Sequence, residues 1–312
     1  MKTKIQFILV AALALSVSFI SCKKTSTSST DNTDLTTHAD DQNTVSQNMD
    51  DVTNDANNAI DGSAAFQGKP GSVDNTTTLT PPCNATITLD SANGLRRITI
   101  HYNGLNCAQT RLRVGDVVLS MPLTQHWRDA GATLTINVQN LKITRVSDGK
   151  YITINGITTV TNVSGGRLRD LSALGTITHT ITSAGMTITF EDNTQRSWQI
   201  AKQRTFTYSN GVVITTIGTH TDGSTTGISE WGTNRFGNAF STAITQPMVI
   251  REDCSWRLVS GQVTHTKLVA TIVVTFGLDS AGNPVTCPTG TFYFKVVWTG
   301  VNGIVRTFIL PY

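Results

Sequence analysis

The stretch Ile98-Thr99-Ile100-His101-Tyr102 alternates an apolar with a polar side chain at every step. A period of two, carried by β-branched and aromatic residues, is the signature of a strand with one face packed and one face wet. The same grammar recurs along the chain. It is seen at Ile87 and Leu89, at Leu134, Ile136 and Val138, and at Ile152 and Ile154. It returns at Ile177 and Ile181, at Met186, Ile188 and Phe190, and near the end at Phe292, Phe294 and Val296. Helical periodicity is almost missing. Between the runs stand Asn93-Gly94, Asp148-Gly149, Asn210-Gly211 and Asn302-Gly303, dipeptides that accept the positive φ of tight hairpin turns. The expectation is an all-β fold: an antiparallel meander of about fourteen to eighteen strands, forming a sandwich or an elongated two-sheet domain.

Working outward, this grammar covers Pro81 to Tyr312. An internal echo suggests two similar sheets flanking a central section. Leu89-Asp90-Ser91-Ala92 near Cys83 and Cys107 is answered by Leu278-Asp279-Ser280-Ala281 between Cys254 and Cys287. A transmembrane barrel is the rival architecture. Against it stand threonine-rich strand faces and aromatics at 7% of residues, too few for two interfacial girdles.

The amino-terminal part reads differently. Lys2 and Lys4 precede an apolar run from Ile5 to Ile20, followed by Ser21 and Cys22. A basic start, a short apolar stretch and a small residue before the cut make a secretory signal, and a stretch this short does not favour a retained membrane helix. With a cysteine at the cut, Phe19-Ile20-Ser21-Cys22 resembles a bacterial lipoprotein signal. That resemblance implies cleavage before Cys22 and acyl chains, palmitate among them, on Cys22 as the membrane anchor. Residues 1–21 are then the signal peptide. Residues 22–80 read as an acidic tether: rich in Thr, Ser, Asn and Asp, with nine aspartates against three lysines. Such composition buries little surface, so disorder is expected, with a coil spanning on the order of 40 Å and at most a short amphipathic helix over residues 45–60. Residues 81–312 carry nineteen Lys and Arg against twelve Asp and Glu. The whole-chain charge of +3 therefore conceals an acidic arm and a basic domain. A basic domain suits anionic lipid, lipopolysaccharide or acidic glycan as partners. The alternative is an ordinary solvated surface, since the basic residues form no Lys/Arg-rich cluster, and nucleic acid is not expected outside the cytoplasm.

Beyond Cys22 there are four cysteines: Cys83, Cys107, Cys254 and Cys287. An even number in an exported chain implies disulfides, with three possible connectivities. Pairing Cys83 with Cys107 and Cys254 with Cys287 closes two hairpin-sized loops; the rival pairs Cys83 with Cys254 and Cys107 with Cys287. No C-x-x-C pair or neighbouring histidine suggests a metal, and no cofactor motif is present.

Catalytic signatures are lacking. His101 reads as solvent-facing and His179 as a core histidine, while His220 and His265 stand alone in threonine-rich runs. Glu191-Asp192 and Glu252-Asp253 are adjacent carboxylates at strand ends, where neighbours point opposite ways. The segments with binding character are His126-Trp127-Arg128-Asp129 and Glu230-Trp231-Gly232-Thr233-Asn234-Arg235. Trp127 with Arg128, and Trp231 with Arg235, offer the aromatic stacking and planar hydrogen bonding that suit a sugar; the alternative is a buried Trp at a strand end. Asp90-Ser91-Ala92 and Asp279-Ser280-Ala281 also resemble the Asp-Ser/Thr-Ala acceptor for protein O-glycosylation in Bacteroidota.

Three loose patterns give the wider resemblance: His101-Tyr102-Asn103-Gly104-Leu105-Asn106-Cys107, Trp198 followed by Arg204-Thr205-Phe206, and Gly237-Asn238 through Ala243-Ile244-Thr245-Gln246-Pro247 to Cys254. Over 81–312 the chain is similar to uncharacterised strand-rich outer-membrane lipoproteins of the Bacteroidota, a group that brings no activity with it. Lys23, Lys24 and Thr25 after the anchor argue for a periplasm-facing position in the outer membrane. The expected function is a non-enzymatic, lipid-anchored binding or structural module, with envelope glycan as its ligand. The alternatives are a lipid- or lipopolysaccharide-handling β-groove and a glycan-active enzyme.

Overall fold

The computed structural model describes residues 29–67 and 81–312, apart from 184, 268, 269, 288, 289, 301 and 302. The expected signal peptide, Cys22 and residues 68–80 lie outside the described residues.

Helix α1 (Ser29–Gly62) and the short α2 (Ala64–Gln67) come first. The strands follow: β1 (Ala85–Ala92), β2 (Leu95–Leu105), β3 (Arg111–Pro122), β4 (Ala132–Arg145) and β5 (Tyr151–Asn162). A short helix α3 (Leu171–Leu174) precedes β6 (Thr176–Ser183), β7 (Met186–Phe190), β8 (Gln195–Tyr208), β9 (Val212–Gly218), β10 (His220–Asp222) and β11 (Thr225–Thr233). The chain ends with β12 (Ala239–Arg251), β13 (Arg257–Lys267), β14 (Ala270–Leu278), β15 (Tyr293–Gly300) and β16 (Val305–Pro311).

All these strands join one 16-stranded antiparallel sheet. The all-β meander is therefore as the alternation predicts, but the echo does not divide it: hydrogen-bonded neighbours run unbroken from β1 to β16. Two positions are shared by strands laid end to end. β6 and β7 both lie between β5 and β8, and β9 and β11 both lie between β8 and β12. Where β9 stops and β11 begins, a Cβ on Gly218 would lie 1.9 Å from the Gly227 carbonyl oxygen. Only glycine permits that backbone approach. A bulge facing Asn140 in β4 needs another glycine, Gly115 of β3, at φ +134° with the Asn140 carbonyl 2.5 Å from any added Cβ. Bulges of this kind bend a sheet.

The turn reading holds. Ala92 pairs with Leu95 across Asn93-Gly94, both at positive φ, as are Gly149, Asn210 with Gly211, and Gly303. Both disulfides follow the hairpin-closing connectivity, Cys83–Cys107 and Cys254–Cys287, each with a Cα separation of 5.2 Å.

The structure departs from the expected extended arm over 38–67, where the segment is helical and packs on the sheet. Val45, Met49, Val52, Ala56, Ala59 and Ile60 recur at steps of three and four, so they share one helical face. All are buried, and Phe66 of α2 completes the stripe. They form one core with Ile98, Ile100, Tyr102, Val117, Leu119, Leu134, Ile136, Ile154, Ile188, Trp198 and Phe240 of the sheet. Composition hid this, because Asn and Asp are poor helix formers in isolation. Tertiary packing of an amphipathic face overrides such propensities.

Charge reinforces the packing. Asp40 pairs with Arg145 (2.8 Å), Asp41 with Arg235 (2.7 Å), Asp50 with Arg204 (2.6 Å) and Asp55 with Arg113 (2.8 Å). The acidic arm and the basic domain are thus two halves of one interface.

Candidate functional site

Strand alternation leaves a second face of β1–β5 in solvent. Register places its side chains side by side: Asp90 opposite Arg97, Arg97 opposite Ser120, Thr99 opposite Val118, Val118 opposite Asn137, and Asn137 opposite Ile157. Together with Leu95, Thr135 and Gln139 these residues line a hollow of about 390 Å³. Its volume falls at the lower end of the range for small-ligand sites. Its chemistry is three hydroxyls, two amides, one ion pair and three apolar side chains. Arg97 Nε donates to Asp90 Oδ1 at 2.6 Å, with both groups partly exposed. One register step along the same face, His101 Nδ1 and Asp116 Oδ1 stand 2.5 Å apart. Such a surface can donate and accept hydrogen bonds around a polyhydroxylated ligand. The Arg97 guanidinium supplies a planar donor fork.

The opposite face carries a denser polar cluster, covered by α1. Glu230 of β11 is buried at 3% exposure. It accepts hydrogen bonds from Trp198 Nε1 (3.0 Å), Lys202 Nζ (2.5 Å) and Ser46 Oγ (2.8 and 3.0 Å), and also from Gln42. Burial alone would push its carboxyl up. Lys202's charge and hydrogen bond, the Ser46 hydroxyl and the Arg196 charge outweigh it and hold the group below its ordinary value. Arg196, 1% exposed, donates to Gln42 and lies over the Phe240 ring at 4.2 Å. Burial pulls its guanidinium down to about 10, so it stays charged at neutral pH. Among the described residues this cluster is a helix-docking layer: two of its members, Gln42 and Ser46, belong to α1.

The four residues read as ligand-binding are not brought together. Trp127 is 1% exposed, its backbone N–H bonded to the Phe66 carbonyl, and its ring packs edge-on against His179. It belongs to the core and presents no face to solvent; the apolar floor under α2 and the β3–β4 loop accounts for it. Arg128 is exposed beside Asp129. Trp231 is half-buried on the face away from Glu230, stacked on His220 at 4.0 Å between ring centroids. Arg235 is taken up by Asp41 and Asp192, with its guanidinium 3.6 Å from the centre of the Phe190 ring. His179 is the core histidine expected, held between Trp127 and Phe206, and burial with the nearby Arg204 charge brings it down to about 4. His101 is exposed, also as expected. Glu191-Asp192 lie in the β7–β8 turn and Glu252-Asp253 in a 3-10 turn after β12.

Sequence reading missed the Glu230–Lys202–Arg196 cluster. Its one legible signal was a glutamate inside an otherwise apolar-alternating strand. The Lys202 and Arg196 partners come from β8 and could be placed only by register.

Compared with protein-family models, with curated proteins and with solved structures, the chain matches none of them.

Proposed function

We propose that this protein is a lipid-anchored envelope module that binds a hydroxyl-rich ligand, an envelope glycan, on the solvent face of β1–β5, with Cys22 as the anchor in an outer membrane. The observation that carries the reading is the 390 Å³ hollow lined by Thr99, Ser120, Thr135, Asn137 and Gln139 around the Arg97–Asp90 pair. Solvent-facing hydroxyls and amides arranged around a concavity bind polyols through many shared hydrogen bonds. The apolar Leu95, Val118 and Ile157 would meet the C–H faces of a sugar ring. The alternative of a lipid-handling groove on the apolar face is disfavoured, because α1 fills that face with the chain's own side chains.

The test uses the full chain with Cys22→Ala, kept free of acyl chains, on an array of bacterial envelope glycans. Binding that falls at least tenfold in Asn137→Ala and Arg97→Ala, with an unchanged melting temperature, supports the reading. Each lost hydrogen bond to a ligand costs about 1–2 kcal/mol, and charged ones more. Equal binding by parent and both variants would refute the assignment of this hollow. Release of the Cys22→Ala protein from membranes checks the anchor; its retention there would remove that half of the reading.

A further inference from the structure

One end of the sheet carries exposed apolar side chains at its hairpin tips. The register shows that these tips share a pole. Arg111 pairs with Arg145, Thr144 with Tyr151, Ile152 with Phe190, Thr189 with Gln195, Ser197 with Thr233, Thr233 with Ala239, Phe240 with Lys267, Ala270 with Gly300 and Thr299 with Val305. The β2–β3, β4–β5, β7–β8, β11–β12 and β15–β16 connections therefore all emerge on the same side. Three of them display Val146 (54% exposed), Phe236 (41%) and Ile304 (53%).

Helix α1 enters at this same pole. Asp40 meets Arg145, Asp41 meets Arg235, and the far end of the helical segment, Phe66, lies against the Trp127 backbone at the opposite pole. The amino-terminal end of α1 thus lies on the side of the apolar tips. From Cys22 to Ser29 is a path of seven residues, about 25 Å at full stretch. From Ser29 to Asp40 the helix rises about 16 Å. An anchor at Cys22 therefore lies within about 40 Å of this pole, on the side from which α1 enters.

The charge at this pole is nearly balanced and does not oppose a lipid surface. Arg145 is shared by Asp40 and Asp148, and Arg235 by Asp41 and Asp192, so these two groups together set two cations against four carboxylates, a net −2. Arg111 and Lys150 line the cleft beside Asp40 and Asp41 next to the β4–β5 turn, and Lys142 of β4 lies 3.8 Å from the centre of the Tyr151 ring. Cationic side chains with apolar stems and rings, surrounding exposed apolar tips, match the boundary between headgroups and acyl chains. Basic residues near such a surface add attraction to anionic lipid.

We propose that the hairpin pole at which α1 enters is a membrane-contacting surface that seats Val146, Phe236 and Ile304 in the interface of an anionic bilayer. The proposal rests on the Cys22 anchor and turns the solvent face of β1–β5 sideways to the membrane, open to a ligand.

The experiment uses the acylated full chain with its disulfides intact, carrying a single environment-sensitive dye on Val146→Cys. A second preparation carries the dye on Leu123→Cys, 46% exposed at the opposite pole. Both are mixed with phosphatidylglycerol-containing vesicles and separated by flotation. The expected result is flotation of both, with a several-fold rise and blue shift of dye emission at 146 and none at 123. Flotation with no change at 146, or with equal change at both positions, overturns the proposal and leaves the anchor standing. Failure to float overturns the anchor and the proposal together. Replacing Val146 and Ile304 by serine, both at exposed positions, should lower vesicle binding of the Cys22→Ala chain at least threefold; unchanged binding counts against the surface.

Discussion

Replacing Glu230 by Gln should be among the most damaging single changes in the molecule. Among the described residues the carboxylate is the anion paired with Lys202, and its field reaches Arg196. Lys202 is 8% exposed and Arg196 1% exposed. Glutamine keeps the shape but removes the charge, and it turns an amide N–H₂ toward a set of donors: Lys202, Trp198, Ser46 and Gln42. Breaking a buried pair from one side costs about 3–5 kcal/mol, since the remaining charge is left uncompensated. That is a large part of the 5–15 kcal/mol typical of a whole domain. For a chain of this size it corresponds to a fall in melting temperature of roughly 10 °C. The sign of the pH dependence follows from the depressed carboxyl. Glu230 contributes its stability above its ordinary value of 4.5 and loses it as pH falls through the lower folded value. The gap between parent and Glu230→Gln should therefore be widest at neutral pH and narrow in acid. The assay is thermal unfolding of the Cys22→Ala chain followed by circular dichroism from pH 3 to pH 8. Asp90→Asn serves as the control, since its pair with Arg97 is partly exposed and worth about 1 kcal/mol or less. A Glu230 variant that melts within about 2 °C of the parent at pH 7, no lower than Asp90→Asn, would refute the claim that this cluster holds α1 to the sheet.

Three further predictions follow from individual groups. Burial raises the Asp61 carboxyl from 3.8 to about 6, so ionising it costs stability that appears as pH rises through that window; Asp61→Asn should stabilise the protein at pH 7.5 and change nothing below pH 4, read by urea unfolding. His179 is depressed from 6.5 to about 4, so its contribution is complete above pH 6.5 and disappears as pH falls to 4; His179→Phe, which keeps the ring between Trp127 and Phe206, should flatten that part of the pH–stability curve. Replacing Cys83 and Cys107 together by serine removes a loop closure of 24 residues and should cost about 2–4 kcal/mol, with amide exchange rising first in β1; an unchanged exchange pattern there would count against the bridge as the clamp of that edge.

Period-two alternation was sufficient for the strands because each strand of β2–β8 has one wet face, so its pattern survives without knowledge of its neighbours. The turn dipeptides, the disulfide pairing and the buried character of His179 were legible for the same reason: each is decided within a few tens of residues. Two features were not. The apolar stripe from Val45 to Ile60 was visible as a short amphipathic element, but its Asn- and Asp-rich surroundings argued for a coil, and nothing local shows that the aspartates have arginines waiting on β3, β4, β8 and the β11–β12 turn. The hollow on the solvent face joins residues from five strands through register, and register is set by turns and bulges such as Gly115 against Asn140. Single residues there look like ordinary strand threonines and asparagines. Trp127 and Arg235 drew attention because they stand beside charge in loops, a pattern that a core tryptophan and a helix-clamping arginine produce equally well.

The helix also redraws the boundary of the folded unit. A break at residue 80 suits the composition, yet without α1 the side chains Ile98, Ile100, Leu119, Leu134, Ile136, Ile154 and Ile188, all of them fully buried or nearly so, would face water on one continuous surface. At about 1.5–3 kcal/mol for each large side chain moved from water into the core, losing that cover removes more than a typical domain's net stability. A patch of that extent also drives aggregation. Arg113, Lys202 and Arg204 would lose Asp55, the Ser46–Gln42 network around Glu230, and Asp50 in the same step. The fragment 81–312 should therefore fail to form a soluble monomer, whereas the fragment 29–312 should form one. Adding a peptide of residues 29–67 during refolding of 81–312 should restore solubility, and it should do so less well at 1 M salt, where the Debye length shrinks to about 3 Å and the charge pairs guide docking less. Size-exclusion chromatography with far-ultraviolet circular dichroism reads all three outcomes. A monomeric 81–312 that melts at the temperature of 29–312 would show that the sheet stands without its helix, and would return the acidic segment to the role of a spacer.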